Sequence, residues 1–222
     1  MSERNVSAVQ IYKAIIDTVS EKIYNDIADT VSEKEREVIT MKKNVGSVLA
    51  LYPTPLVVVG AAADSKPTWT LVGHVGIIGH DRVMVSLAAN HYINGVIKDA
   101  NKLSINIVDR SILPEADYVG SVSGAKVDKS AVFDYEMGVS KTPIIKKSPL
   151  AIECTVVDIY NTKGFESFIC TIDSTLVEEA CLNEEGKIDY NKLKPVLFEF
   201  PTYEYLETGE VLGKCLSFKE KR

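Results

Sequence analysis

The chain contains three successive apolar runs of the β type, at 56–63, 68–79 and 82–90, joined by short connections. Segments rich in β-branched residues and bounded by turn residues are typical of β-strands. Glycine and polar residues interrupt the second segment at positions where a packed core would carry Leu or Ile. We therefore expect these strands to form part of a barrel wall around a bound ligand.

Segments further along the chain predict more of an all-β domain. Residues 92–100 have helical character, and residues 103–108 alternate as a half-buried strand. Two more strands are predicted at 151–160 and 165–176, and the residues between them, Asn161-Thr162-Lys163-Gly164, are typical of a hairpin turn. The inward faces of these two strands can close the same core.

Two further segments, residues 120–130 and the C-terminal part of the chain, indicate a loop and a buried apolar surface. Residues 120–130 are polar and contain glycine, which is typical of a mobile or ligand-facing loop. The C-terminal part is apolar enough to need burial, and we expect it to pack on the barrel or on a second subunit. Its large apolar residues are Leu197, Phe198, Phe200, Tyr203, Tyr205 and Leu206.

The first part of the chain has a different periodicity. Between residues 6 and 38 apolar residues recur at three- and four-residue steps, which predicts an amphipathic helix. The hexapeptide DTVSEK occurs at 17–22 and again at 29–34, as expected of a local duplication rather than a solenoid. We predict a helical extension at 1–40 followed by a main domain at 41–222.

The composition of the chain indicates which partners it can bind and in which cellular compartment we expect it. The chain has 222 residues, a net charge of -6 and a sequence pI near 5.2, which argues against nucleic-acid and anionic membrane surfaces. The uncharged stretch at 44–63 is broken by Pro53 and Pro55, so it predicts a turn and a strand rather than a membrane span. The first residues lack the pattern of a signal peptide, and we expect a cytoplasmic protein.

Neither metal nor nucleophile motifs stand out. The four cysteines, at 154, 170, 181 and 215, include no CxxC pair, and we expect buried free thiols rather than a zinc site or a redox dithiol. The chain contains no HExxH, GxxxxGK[ST] or GxGxxG motif and no residue that the sequence identifies as catalytic. The simplest hydrolase, zinc-protease and Rossmann interpretations are therefore excluded.

The remaining candidate chemistry lies in the first half of the main domain. Residues 70–74 fall on one predicted strand, and Ser86 and residues 90–94 lie near a predicted junction of strand and helix. Such a junction offers free backbone amides beside hydroxyl, amide and imidazole donors, which together can hold a phosphate. Gly73 and Gly76 would let a flat ring lie against the backbone. This pattern favours a planar phosphorylated cofactor.

Several of these segments together resemble the flavin reductase-like, FMN-binding split-barrel family, and especially its flavoredoxin-like branch. The resemblance covers roughly residues 41–213. It depends on the order and spacing of the following segments: YPTP at 52–55, KPTWTLVGHVGII at 66–78, VSLAANHY at 85–92, LSINIV at 103–108, SG at 123–124, VDK at 127–129 and PLAIEC at 149–154.

The resemblance implies a mainly β fold, a six-stranded antiparallel split barrel with flanking helices, and a homodimer that holds FMN near the subunit interface. The strand at 70–74 would lie along the isoalloxazine, the segment at 86–94 would hold the ribityl phosphate, and Lys129 would be a charge partner. The ring of Trp69 is expected in the core. The implied cofactor-binding residues are Trp69, Thr70, Leu71, Val72, Gly73, His74, Ser86, Ala88, Ala89, Asn90, His91, Tyr92, Asn94 and Lys129.

Two positions depart from the pattern of this family. Relatives usually carry Ser or Thr at the position of Ile93 and often a basic residue near Ala88, and both serve the phosphate. Asn90, His91 and Asn94 are the candidate replacements.

The leading hypothesis is an FMN-dependent oxidoreductase that accepts hydride or electrons, with NAD(P)H as the implied donor, and passes them to a second flavin or to a protein. Since the flavin carries the difficult chemistry, the protein needs no catalytic triad. One alternative is a flavin-binding electron carrier or sensor without turnover. Another is a split barrel that binds haem, with His74 or His91 as the axial ligand.

Overall fold

The computed structural model describes residues 18–23, 42–63 and 66–217. Internal contacts group the chain into two units, Met1–Ser47 and Val48–Arg222. In the first unit residues 18–23 are helical and exposed, as the apolar periodicity predicts. The rest of the predicted helix and the second copy of the hexapeptide lie outside the described residues. The division into 1–40 and 41–222 stays a prediction.

The second unit is built mainly from strands, which confirms the predicted class. Its helices are α1 (Tyr92–Ala100), α2 (Leu113–Ser121) and α3 (Tyr190–Leu193), with a 3-10 turn at Glu179–Cys181. Its strands are β1 (Thr54–Pro55), β2 (Val57–Ala63), β3 (Lys66–Val72), β4 (Val75–Ile77), β5 (Arg82–Ala88), β6 (Lys102–Ile107), β7 (Tyr135–Met137), β8 (Pro143–Ile145), β9 (Leu150–Thr162), β10 (Phe165–Val177), β11 (Leu197–Glu199) and β12 (Glu204–Leu206).

Seven strands form one antiparallel sheet in the order β3-β2-β6-β9-β10-β5-β4. The edge strands β3 and β4 are joined along the chain by Gly73 and His74 alone. Because two residues span only a few ångströms, the sheet must curl until its two edges meet. The backbone amide of Ser86 donates to the carbonyl of His74 at 2.9 Å, which fixes this junction against β5.

The predicted count of six strands is therefore wrong by one. The sequence segment 68–79 reads as one strand, but it bends at Gly73 and His74 and supplies two, because β3 pairs with β2 whereas β4 pairs with β5. The predicted hairpin at 151–176 is present as β9 and β10, with Gly164 at a φ of +88° in its turn. The predicted helix at 92–100 is α1.

Two apolar cores lie on opposite faces of the sheet. The inner core fills the curl under α1, and the outer core lies between β2, β3, α2 and the C-terminal strands. Neighbouring residues of β2 alternate between them, since Val57 and Val59 belong to the inner core and Val58 to the outer. β2 is thus buried on both faces, which explains its nearly continuous run of valines.

The C-terminal segment packs on the domain itself. β11 pairs with β1 and β12 pairs with β11, forming a small second sheet. Phe198 packs against the outer core. Of the two locations expected for this apolar segment, the structure shows the first, the barrel.

The cysteines lie in different environments. Cys154 and Cys170 are buried in β9 and β10, as expected of free thiols in strands, and burial raises the pKa of both. Cys181 is buried in the 3-10 turn, whereas Cys215 is exposed. Among the described residues, none of the helices has the length and apolar character needed to cross a bilayer.

Glu166 fixes α1 to the sheet. Its carboxylate accepts hydrogen bonds from Lys98 Nζ at 2.5 Å and from the amide nitrogen of Asn94 at 2.8 Å. The same amide nitrogen donates to the carbonyl of Ala88 at 3.1 Å, so the start of α1 is held against both β10 and the end of β5. These bonds, that of Lys98 first, lower the pKa of Glu166.

We expect the variant Glu166→Gln to lose a pH-dependent part of the stability. A carboxyl group with a lowered pKa stabilises the fold fully above its ordinary value near 4.5 and loses that contribution as pH falls through the lowered value. Since Lys98 is partly exposed, the loss at pH 7 should be only about 0.5–1 kcal/mol. Urea unfolding at pH 7 and at pH 2.5 checks this, because the two proteins should become equally stable at the lower pH. A difference that persists there would show that packing rather than charge is responsible.

Candidate functional site

Two adjoining cavities lie where the β3–β4 junction, the start of α1 and the end of α2 meet. The apolar cavity has a volume of about 640 Å³, and the polar cavity has a volume of about 270 Å³. His91, Gly120 and Ser121 line both, so the two cavities share one wall. Together they have the size of a site for a ligand of cofactor dimensions.

The apolar cavity is lined by aromatic side chains from distant parts of the chain. The ring of Phe200 lies 5.5 Å from that of His74 at an angle of 33°, and 5.9 Å from that of Tyr52 at 26°. These geometries are close to stacked, as flat aromatic surfaces prefer. The cavity residues are Leu56, Leu71, Val72, Gly73, His74, Ser86, Leu87, Ala88, His91, Asp117, Gly120, Ser121, Phe165, Phe198, Phe200, Tyr203 and Tyr205.

Gly73 has a different neighbour from the one that the sequence suggested. A Cβ atom at this position would lie 2.7 Å from Cδ1 of Phe198, so the close approach that requires glycine is made by the chain's own C-terminal strand. At Gly76 a Cβ atom would meet no atom within 4 Å. Phe198 therefore occupies the side of Gly73 on which a Cβ atom would lie, and a ring in this cavity would lie beside Phe198. That Gly73 and Gly76 let a flat ring lie against the backbone stays a prediction.

The polar cavity lies at the beginning of α1. His91 is the N-cap residue of this helix, and no side chain caps it. The amide of Asn94 donates to the carbonyl of His91 at 3.1 Å, which leaves the amides of Tyr92 and Ile93 for an acceptor in the cavity. Free amides at the start of a helix favour an anion. Hydroxyl and amide side chains surround them, and none of the lining residues is acidic. These residues are Thr68, Trp69, Thr70, Asn90, His91, Tyr92, Ile93, Gly120, Ser121, Val122, Ser123, Gly124 and Lys129.

Lys129 supplies the positive charge of the polar cavity. It is only 5% exposed, and its Nζ donates to the carbonyls of Trp69 at 3.0 Å and of Val119 at 2.7 Å. An ammonium group has three donor hydrogens, so one remains for a further acceptor. Burial lowers the pKa of Lys129, as expected of a cation held without a carboxylate partner. An anionic ligand would provide the missing counter-charge.

The two histidines of the site are both partly desolvated. Burial lowers the pKa of His74, and burial followed by the charge of Lys129 lowers that of His91. Since the ordinary value lies near 6.5, both imidazoles are neutral at pH 7. A neutral imidazole donates one hydrogen bond and accepts another, so neither residue adds a positive charge to the site.

The structure brings twelve of the fourteen predicted site residues to the walls of these cavities. Ala89 and Asn94 are the exceptions. The backbone amide of Ala89 donates to Gly164, and Asn94 is buried with its amide nitrogen bound to Glu166 and Ala88. Asn94 thus positions the helix that carries the first-turn amides.

Trp69 has two roles in the geometry. Its ring is fully buried in the outer core, as predicted, with an edge-to-face contact to Phe133 at 5.5 Å. Its carbonyl holds Lys129 at the polar cavity.

Several cavity residues were missed from the sequence. Asp117, Phe165, Phe198, Phe200, Tyr203 and Tyr205 all line the apolar cavity. The sequence indicates that the apolar C-terminal segment needs burial. It does not indicate that this segment packs against the β3–β4 junction. Gly120, Ser121 and Ser123 come from the loop that the sequence marked as ligand-facing, together with the end of α2.

These residues fit a flavin mononucleotide. A flat tricyclic ring suits a cavity walled by near-stacked aromatic groups, and a phosphate suits free helix amides beside a buried lysine without a counter-charge. The apolar and polar cavities meet at the wall that contains His91. A ribityl chain needs such a connection between the ring and the phosphate.

Comparisons with known proteins agree with this geometry. Residues 49–206 match the flavin reductase like domain. The chain belongs to the flavin reductase-like family. No curated protein matches the sequence.

Solved structures extend this family assignment. Flavoredoxin of Desulfovibrio vulgaris (Miyazaki F) is 33% identical with a TM-score of 0.74, and the match covers 80% of this chain and 99% of that one. Flavoredoxin from Methanosarcina acetivorans is 29% identical with a TM-score of 0.77, covering 82% and 98%. An FMN-binding protein from Thermus thermophilus shares the fold at 18% identity and a TM-score of 0.67, covering 79% and 100%. The resemblance noted from sequence segments is thereby confirmed.

Proposed function

We propose that this flavin reductase-like protein binds FMN and acts as an oxidoreductase, taking hydride or electrons from NAD(P)H and passing them to a second flavin or to a protein. The observation that carries the proposal is the pair of joined cavities, in which the buried cation Lys129 lies beside the uncapped start of α1. The name of the Thermus relative, an FMN-binding protein, supports the choice of cofactor.

Each side chain has a defined task in this proposal. Lys129 and the first amides of α1 hold the phosphate, and the backbone of β3 with the junction at Gly73 and His74 lies along the ring. Phe198 and Phe200 exclude water from the ring's surroundings. Bound FMN supplies the capacity to accept and release electrons. His74, being neutral, contributes hydrogen bonding and shape rather than charge.

A homodimer is the proposed assembly. Large apolar side chains are exposed on β4 and on the β9–β10 hairpin, with Ile77 at 73%, Tyr160 at 64% and Phe165 at 37% exposure. Apolar surface of this kind favours association with a second copy. Phe165 also lines the apolar cavity, so this surface and the ring site are adjacent. The buried free thiols fit the reducing conditions of the cytoplasm, which is the proposed location.

The test is an absorption spectrum of the purified protein followed by anaerobic mixing with NADH and NADPH. We expect a flavin spectrum that bleaches on mixing with at least one of them and recovers when free flavin is added. A flavin that dithionite bleaches but neither nicotinamide does would instead support the alternative hypothesis, an electron carrier without turnover. A protein that binds no FMN, or shows a haem band, would overturn the proposal.

A further inference from the structure

Strands β11 and β12 form a hairpin, residues 197–206, that walls one side of the apolar cavity. The carboxylate of Glu199 braces its turn by accepting from the backbone amides of Thr202 at 2.8 Å and Glu204 at 3.3 Å. Four aromatic side chains of this hairpin line the cavity, namely Phe198, Phe200, Tyr203 and Tyr205. Since Tyr203 is also 67% exposed, the hairpin separates the cavity from solvent on this side.

The base of the hairpin is fixed to the domain at Val196, which is buried. The backbone amide of Val196 donates to the carbonyl of Val108 at 2.8 Å, and its carbonyl accepts from the amide of Leu56 at 2.9 Å. The hydroxyl of Thr208 donates to the carbonyl of Pro195 at 2.7 Å, so the two ends of the hairpin stay together. The base is therefore a fixed point about which the rest of the hairpin can turn.

The other end of the hairpin is tied to α2 by Tyr205. The hydroxyl of Tyr205 donates to the carboxylate of Asp117 at 2.5 Å. Burial, followed by this bond, raises the pKa of Tyr205, so the phenol remains a donor at neutral pH. β12 is the outer strand of the small sheet and all three of its residues are exposed. An exposed edge strand has little buried surface to resist local opening, so the bond to Asp117 has a large share in keeping β12 in place.

Asp117 lies on the helix that also supports the polar cavity. The carbonyl of Val119 on α2 holds Lys129, and Gly120 and Ser121 line both cavities. The bond between Tyr205 and Asp117 therefore joins the movable aromatic wall to a part of the domain that is fixed by the sheet. A ligand that enters the apolar cavity from the side of the hairpin has to displace this wall.

We propose that the hairpin at 197–206 is a gate of the apolar cavity, hinged at Val196 and latched by the hydrogen bond of Tyr205 to Asp117. The gate regulates entry of the flavin ring, a role that rests on the proposed function. The latch is closed in both the empty and the occupied protein. It therefore sets the rates of flavin association and dissociation rather than the affinity.

The first measurement needs no flavin. Hydrogen exchange of the ligand-free protein is compared for the wild type, Tyr205→Phe, Asp117→Ala and the double variant. Each single variant should lower the protection of β11 and β12 about tenfold, and the double variant should lower it no further, because either change removes the same bond. Exchange in β9 and β10 should be unchanged. The matched control is Tyr118→Phe, which removes a phenol that is 45% exposed on α2 and lies outside the described lining of both cavities.

The second measurement is stopped-flow binding of FMN and riboflavin. In Tyr205→Phe and in Asp117→Ala the association and dissociation rate constants should both rise about tenfold, while the dissociation constant changes less than about twofold. Tyr118→Phe should match the wild type.

Three results would overturn the gate. They are unchanged rates and exchange in the two single variants, a weaker affinity with an unchanged association rate, and a loss of protection that extends through the seven-stranded sheet. The second result would mean that Tyr205 contacts the ring directly, and the third that its role is structural. A wild type that binds neither flavin would instead overturn the proposed function and, with it, the role of the hairpin in flavin entry, while the exchange measurement would still decide whether Tyr205 latches the hairpin.

Discussion

Replacing Lys129 with glutamine should raise the dissociation constant for FMN about 30-fold, which corresponds to about 2 kcal/mol for a hydrogen bond to a charged group. Riboflavin, which has no phosphate, should bind both proteins within about twofold. The reason is that Lys129 is the buried cation of the polar cavity, with one donor hydrogen left after its bonds to Trp69 and Val119. Glutamine keeps amide donors for those carbonyls but removes the charge. Fluorescence titration with the two ligands measures the difference.

The matched control is Lys126→Gln, which removes an exposed charge from the neighbouring loop and lies outside the polar cavity. It should leave FMN affinity nearly unchanged. If Lys129→Gln weakens FMN and riboflavin equally, Lys129 is a structural residue, and thermal unfolding of the ligand-free protein would show the same loss. If neither ligand is affected, the phosphate binds elsewhere.

The variant Gly73→Val should destabilise the ligand-free protein by about 2 kcal/mol, within the range found for overpacked sites. The new side chain would occupy the place of the Phe198 ring, which lies 2.7 Å from the position of a Cβ atom. Displacing Phe198 moves β11 away from the apolar cavity, so FMN affinity should also fall more than about tenfold. Urea unfolding and flavin titration measure the two effects.

Gly76→Val is the control for this prediction, because a Cβ atom at position 76 meets no atom within 4 Å. It should change stability by less than about 0.5 kcal/mol. The double variant Gly73→Val with Phe198→Ala should recover part of the loss, since the clash is then removed. Unchanged stability in Gly73→Val would mean that Phe198 does not pack against the junction.

The elements that depend on local pattern could be predicted from the sequence. The pattern of apolar residues predicted β9 and β10, the turn residues between them predicted the hairpin, and the helical character of residues 92–100 predicted α1. The predictions of β9, β10 and α1 succeed because neighbouring residues determine both the pattern and the structure. The phosphate site that polar residues at the end of β5 indicated stays a prediction, although the structure brings Asn90, His91 and Lys129 to one cavity.

Features that depend on distant pairing could not be predicted. The strand breaks at Gly73 because β3 pairs at one edge of the sheet and β4 pairs at the other. No local signal in the sequence distinguishes that bend from a continuous strand. Asn94 was expected at the phosphate, but Glu166, 72 residues away, binds its amide nitrogen instead. The contact of Phe198 with Gly73 joins two segments that only the folded chain brings together.

The walls of the polar and apolar cavities come from different parts of the chain. The polar cavity is supplied by the sheet, α1 and the loop after α2, whereas much of the aromatic side of the apolar cavity comes from Phe198, Phe200, Tyr203 and Tyr205 in the last strands. If the proposed function holds, the phosphate end and the ring end of the site are thus encoded in separate stretches of the gene. Exchange of the terminal stretch between homologues should then change the surroundings of the ring without rebuilding the phosphate end.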